Sequence, residues 1–289
     1  GFDLGLKLEK IAKSNPKLKG VILGQHGLFT WGETSKECYE LTLSTIQRAA
    51  DWFEKNKTKE AFGGARYKKT PSQSERFEVA SKLMPHLRGK IKTDQYKVGH
   101  FIDDKSVLEF VNSKKLHKLA ELGTSCPDHF LRTKMCPLVL NFDPNFKSLD
   151  KAIASTIDQL DGQVNSYRKL YIKYYKKCKR KNSPPMRDPN AVVYLVPGVG
   201  MITFAKNKST ARIAGEFYVN AINVMRDADR ADQYVGLPEQ EAFDIEYWLL
   251  EEAKLKRLPS PKSLAGKVAF ITGGAGAIGK ASAIRLMQE

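Results

Sequence analysis

The chain is short of cysteine, of acid and of long apolar runs. Its four cysteines, Cys38, Cys126, Cys136 and Cys178, include no CxxC pair. That excludes a zinc ribbon, and so few thiols exclude a secreted disulfide framework; a reducing cytoplasm is the expected setting. The longest apolar stretch, AVVYLVPGVGMITF, is broken by Pro197 and two glycines and falls short of the roughly 20 residues a membrane span needs. The opening GFDLGLKLEKIAK carries acids and lacks an apolar block, so it does not read as a signal peptide. Acid is the third deficit: 32 Asp and Glu stand against 48 Lys and Arg, a formal charge of +16.

What remains can fold. The 289 residues suffice for two ordinary domains, and a 42% hydrophobic content can bury a core. The densest positive run, KYYKKCKRK at 173–181, reads as a solvated helix end. No helix-turn-helix, zinc-finger or RNA-binding signature accompanies the charge, so neither nucleic acid nor membrane is an expected partner.

Two stretches share one order of elements. GVILGQHGLFTWG reads as strand, glycine turn and strand, followed by a helix that Thr34 and Glu37 open as a capping box and that ends near Asn56. Cys38, Leu41, Ile46, Ala49 and Phe53 give that helix an apolar face. AVVYLVPGVGMITFAKNKS repeats the order, with a helix whose face holds Ile213 or Ala214, Phe217, Ala221 and Val224. Setting Gly27 on Gly200 aligns the two without a gap and matches Thr30 with Thr203. His26 then falls on Val199, which makes a weak internal repeat in which the second copy has no histidine.

Between the copies, 57–75 reads as a linker, 76–89 as a helix up to Met84-Pro85, and 149–178 as a long helix broken near Gly162. Residues 239–257 read as one amphipathic helix with Glu252 and Lys256 paired. After LPSPKS the character changes: Val268 to Ile271 is a buried-strand pattern, TGGAGAIG a glycine-rich turn, and Lys280 lies in a helix. Strand, glycines and helix in that order are the context in which a backbone approaches a pyrophosphate, with unpaired N–H groups at the helix start.

TGGAGAIG resembles the TGxxxGxG motif of short-chain dehydrogenases. Thr272, Gly273 and Gly279 match, while Ala277 stands at the middle glycine with Gly276 just before it. The resemblance implies that Thr272, Gly273, Gly274, Gly276, Ile278 and Gly279 hold NAD or NADP.

GVILGQHGLFTWGETSKECYELTLSTIQRAADWFEK resembles the C-terminal half of class II aldolases, the aldolase/adducin fold, at His26, Gly27 and Gly32. There the matching histidine is a ligand of Zn2+ or another divalent metal, a role that imidazole suits. With GTSCPDHFLRTK and EYWLLEEAKL, the chain is similar along its whole length to the family of bifunctional rhamnulose-1-phosphate aldolase/short-chain dehydrogenases.

That resemblance implies an α/β fold: class II aldolase-like layered α/β/α modules, then the start of a Rossmann fold. It implies an aldolase end at 1–58, a connection at 59–90, a degenerate second aldolase-like module at 91–258, a linker at 259–265 and a dehydrogenase start at 266–289. The implied substrates are a phosphorylated ketose and an aldehyde, and the implied assembly is a homo-oligomer.

No catalytic residue is expected within the chain. The family places two further zinc histidines and a glutamate before Gly1, and the Ser, Tyr and Lys of the dehydrogenase beyond Glu289, so the isolated chain is expected to be inactive. His129 is expected to be a hydrogen-bonded loop histidine. His86, His100 and His117 receive ordinary structural readings, Cys126 and Cys136 those of unpaired thiols, and Asp128 and Arg132 stand as phosphate contacts of lesser weight. The rival readings are a non-enzymatic adducin-like scaffold and a basic nucleic-acid binder.

Overall fold

The computed structural model describes residues 2–24, 26–257, 260 and 262–289. Helix α1 (Phe2–Ser14) leads to β1 (Gly20–Leu23) and β2 (Gly27–Thr30), an antiparallel hairpin that forms its own two-stranded sheet. Helix α2 (Ser35–Asn56) follows, capped at Thr34, whose side chain accepts the Glu37 N–H. Glu37 closes the cap one residue early, accepting the Glu33 N–H at 2.8 Å.

The stretch 57–75, expected to be a linker, is part of the body. Its single short 3-10 turn at Ala61–Gly63 holds Phe62 fully buried against Phe110. One aromatic ring of this kind outweighs the polar letters around it, since burying it stabilises by roughly 2–3 kcal/mol.

Helix α3 (Gln73–Lys90) starts at a complete capping box between Ser72 and Glu75 and runs through Pro85. Then come β3 (Val98–Ile102), α4 (Lys105–Val111), α5 (Leu116–Leu122), the single turn α6 (Phe130–Thr133) and β4 (Leu138–Val139). Helix α7 (Leu149–Cys178) is unbroken at Gly162, which sits exposed on its outer side where a missing side chain costs little.

A second hairpin, β5 (Val193–Val196) and β6 (Gly200–Ala205), runs into α8 (Lys208–Ala231). The helix expected across 239–257 is two, α9 (Glu239–Glu246) and α10 (Leu249–Lys256), parted where Tyr247 turns its ring into the core. Glu252 pairs with Arg187; the side chain of Lys256, its expected partner, lies outside the described residues, as do Leu258, Pro259 and Pro261 of the linker.

The main sheet has the order β3-β6-β5-β4, with β4 parallel to β5 and the other neighbours antiparallel. Both faces are covered, which is why β5 reads VYLV without alternation. Tyr194, Val196, Ile202 and Phe204 pack with α3 and α7 on one side. Val193, Leu195 and Met201 pack with α4, α5 and α8 on the other. The result is a helix–sheet–helix sandwich, the α/β layering expected. The buried face of α8 is Ala211, Ala214, Gly215, Tyr218, Ala221, Ile222 and Met225; Val224, expected inside, is 43% exposed. Among the described residues no helix is long and apolar enough to cross a membrane.

Candidate functional site

The two hairpins have one geometry. Leu23 pairs with Gly27 across a three-residue loop, and Val196 pairs with Gly200 across another. Thr30 donates to the Cys38 carbonyl at 3.4 Å, and Thr203 to the Ala211 carbonyl at 2.7 Å, so each second strand is tied to the first turn of its helix. Thr34 and Asn207 cap those helices by the same bond to the residue three positions on. Every matched pair is separated by the same 173 residues.

The copies differ at the loop. Val199 is fully buried, whereas His26 is exposed, its backbone N–H bonded to the Leu23 carbonyl. The second copy has an apolar plug where the first has an imidazole open to solvent. Among the described residues no group of three His, Cys, Asp or Glu side chains could hold a metal ion. A tetrahedral zinc centre needs three or four protein ligands, so the residues present do not by themselves fit a metal; His26 is one ligand at most.

The glycine-rich turn departs from expectation on its strand side. Residues 267–271 form no strand, and Val268 and Phe270 are 70% and 91% exposed. A buried parallel strand exists only between neighbours to which it can hydrogen-bond, and no described strand lies alongside it. The helix side forms as expected: α11 (Ala277–Gln288) is capped at Gly276.

Gly273 has φ +65°, and a Cβ on Gly279 would lie 2.2 Å from the Gly273 carbonyl oxygen, so the turn closes against the helix only with glycine at that position. The first-turn N–H groups of Ala277, Ile278 and Gly279 lack helical acceptors. Thr272, Gly274 and Ile278 are exposed around them. A helix start with such free N–H groups is a place where an anion can bind.

His129 is buried in a closed setting. Its Nδ1 lies 3.1 Å from the Thr124 hydroxyl, its Nε2 3.5 Å from the Asn220 amide, and its ring meets Phe217 edge-on. Burial pushes its pKa below the usual histidine value, with Asp128 working weakly the other way. Asp128 and Arg132 are exposed, and neither forms an ion pair among the described residues. Cys126 and Cys136 are unpaired, and burial drives the Cys136 thiol up to about 12, which keeps it protonated.

One polar cluster escaped the sequence reading. Lys134 has φ +60°, and its amine, over the Tyr171 ring, donates to the Asn190 carbonyl at 2.8 Å. Burial pulls this lysine down to about 8. Glu246, 1% exposed, accepts from Tyr171 at 2.5 Å and from Tyr174 at 3.1 Å, and burial raises its carboxyl. Tyr247 completes the group, 2.6 Å from the Tyr171 hydroxyl.

Tyr171, Tyr174, Glu246 and Tyr247 are buried, Lys134 is half-buried at their edge, and the group fastens α9 to α7. It also corrects the reading of 173–181 as a solvated end, because Tyr174 and Cys178 are buried there. The available signal was spacing: Tyr167, Tyr171, Tyr174 and Cys178 recur every three or four residues along the face of α7 that turns inward.

Residues 78–255 match the family model described as aldolase class II, second domain. The chain is 34% identical over its whole length to an uncharacterized oxidoreductase, YuxG, of Bacillus subtilis (strain 168). It spans 41% of the length of that relative. No solved structure matches the chain.

Proposed function

Since the chain belongs to the class II aldolase family through its second domain, we propose that it is part of a bifunctional sugar-catabolic enzyme. The whole protein would cleave a deoxyketose 1-phosphate of the rhamnulose-1-phosphate kind to dihydroxyacetone phosphate and lactaldehyde. A dehydrogenase unit would then transfer a hydride between the aldehyde and NAD or NADP. The observation that carries the aldolase half is the exposed imidazole of His26 at a loop whose structural twin holds a buried valine.

In this reading His26 is one ligand of a divalent metal whose remaining ligands come from polypeptide outside residues 1–289. Metal analysis of the full-length protein tests it. The expected result is one divalent ion per chain, lost or weakened in His26→Ala; a metal-free active protein, or an unchanged metal content in that variant, refutes it.

The dehydrogenase half is supported by the glycine-rich turn. Gly273 and Gly276 let the turn close, Gly279 brings the helix against it, and the N–H groups of Ala277 and Ile278, in the first turn of α11, have no helical acceptor and would be open to a pyrophosphate. The cofactor, once bound, supplies the hydride-transfer chemistry. Replacing Gly279 by Val pushes a side chain into the Gly273 carbonyl, and full-length protein carrying it should lose nicotinamide-nucleotide binding by fluorescence titration. Unchanged binding would remove this half. A small-molecule metabolic role in the cytoplasm, with a homo-oligomeric assembly, belongs to the same proposal.

A further inference from the structure

We propose that the second hairpin's module carries a separate binding crevice for a phosphorylated polyol or sugar, with Arg66 taking the phosphoryl group and Asp143 the hydroxyls. The crevice has a volume of about 570 Å³. It lies just past the carboxyl end of β4, where the chain leaves the edge of the sheet. Its walls are the segment around Arg66 and Tyr67, the loop 141–145, and the first turns of α7 at Ser155 and Gln159.

The wall that bears Arg66 is built, not loose. The Arg66 N–H donates to the Asn112 carbonyl at 2.7 Å, the Tyr67 N–H to the Asn112 side-chain oxygen at 3.2 Å, and the Asn112 amide back to the Tyr67 carbonyl at 3.3 Å. Ala65 adds a strand-like bridge to Ser113. These bonds fix the backbone and leave the Arg66 side chain facing the cavity, its guanidinium 5.4 Å from the Tyr67 ring centre.

Among the described residues Arg66 has no carboxylate within ion-pair distance. Arg48, Arg88, Arg132, Arg168, Arg230 and Arg257 also form no ion pair among the described residues, so what sets Arg66 apart is its place on the wall of the cavity. A planar guanidinium left open at a fixed wall is suited to a phosphoryl group.

The opposite wall supplies the other half of the recognition. Asp143 uses one oxygen to accept the Asn145 N–H at 2.9 Å and forms no ion pair among the described residues. The Ser155 hydroxyl oxygen accepts from Gln159 at 3.2 Å, which leaves its own proton to give. A cation at one wall, with a carboxylate and a hydroxyl at the other, complements a molecule with an anionic end and a hydroxylated body.

A smaller cavity of about 160 Å³ adjoins it through Asn145 and adds Lys69. The crevice is distinct from the hairpin corner where the first copy shows His26. In the second copy that corner is closed: a Cβ on Gly198 would sit 2.7 Å from Pro144, and Val199 is buried.

Isothermal titration of the 289-residue chain tests this, with fructose 1-phosphate, inorganic phosphate and fructose as probes. Fructose 1-phosphate should bind at one site per chain. Arg66→Gln should weaken it about tenfold and Arg66→Lys less, because lysine keeps the charge but loses the fork. Asp143→Asn should weaken fructose 1-phosphate about fivefold and leave inorganic phosphate within about twofold. His26→Ala should change neither, because His26 lies at the first hairpin and lines no part of this crevice. Both Arg66 and Asp143 are exposed, so the variants keep the fold. No heat with fructose 1-phosphate up to about 10 mM, equal affinity in Arg66→Gln, equal weakening of both anions by Asp143→Asn, or loss of binding in His26→Ala would each overturn the proposal.

Discussion

Replacing Tyr171 by phenylalanine takes one oxygen from the buried cluster around Glu246. The ring stays, so no cavity opens and the transfer of the side chain is unchanged. What goes is a 2.5 Å bond to the Glu246 carboxylate and a 2.6 Å contact with the Tyr247 hydroxyl. A hydrogen bond to a charged group contributes about 1.5–3 kcal/mol, and a neutral one about 1 kcal/mol. Glu246 keeps Tyr174, and Tyr247 keeps the Arg187 N–H at 3.2 Å, so neither is stripped bare. The expected loss is about 3 kcal/mol, a large share of the 5–15 kcal/mol typical of a folded domain.

Urea unfolding followed by circular dichroism reads this loss as a lower midpoint at unchanged slope. Tyr175→Phe is the reference: it removes a single 2.6 Å bond to the Pro184 carbonyl in a partly buried place and should cost about 1 kcal/mol. The sign with pH is fixed. Burial holds the Glu246 carboxyl above its ordinary value, so its ionisation weakens the fold as pH rises past that point. Without the Tyr171 donor that ionisation is harder still. The deficit of Tyr171→Phe should therefore be larger at neutral pH than in mild acid. A loss no greater than that of Tyr175→Phe, or one independent of pH, refutes the account.

Three further outcomes follow from the geometry. His129 is held neutral by burial, so stability should fall as pH drops through its unfolded value near 6.5, and His129→Gln should flatten that slope in denaturant titrations between pH 7.5 and 5.5. Thr203→Val should cost about 1 kcal/mol in urea midpoint, because it removes the short, buried bond to the Ala211 carbonyl. Ser72→Ala removes the side-chain arm of the capping box on α3, leaves the backbone N–H arm to Glu75, and should lower thermal stability by about 1 kcal/mol in calorimetry.

The sequence disclosed the parts whose contacts are local. The hairpin–cap–helix units could be read to within a residue because turn glycines, Thr34 and helical spacing act over a few positions, and α2 ends at Asn56 as expected. It misled where distant chain decides. Phe62 sits among polar letters, yet α4 and α8 enclose it. Val268 to Ile271 carry a strand's pattern, yet no described strand lies beside them.

His26 and the glycine turn could be singled out from the sequence, because particular residue types at particular spacings mark them; the roles given to them belong to the proposal. Lys134, Glu246, Tyr171 and Tyr247 were not, because they lie up to 113 positions apart and meet only through the packing of α7 and α9. Arg66 offered no signal either, because the cavity it lines is made by segments some 75 to 93 positions away in the chain.

The second hairpin has a consequence for the order in which the chain assembles. Thr203 and Ala211 are eight residues apart, and the strands they follow are joined by a three-residue loop, so β5, β6 and the start of α8 can close with little chain entropy to lose. The next neighbour in the sheet pairs Val98 with Ala205, across more than a hundred residues. A short-range nucleus with a late long-range strand is the pattern this spacing dictates. In pulse-labelled hydrogen exchange during refolding, the amides of Met201–Phe204 bonded toward β5 should gain protection before those of Gly99–Phe101 bonded toward β6.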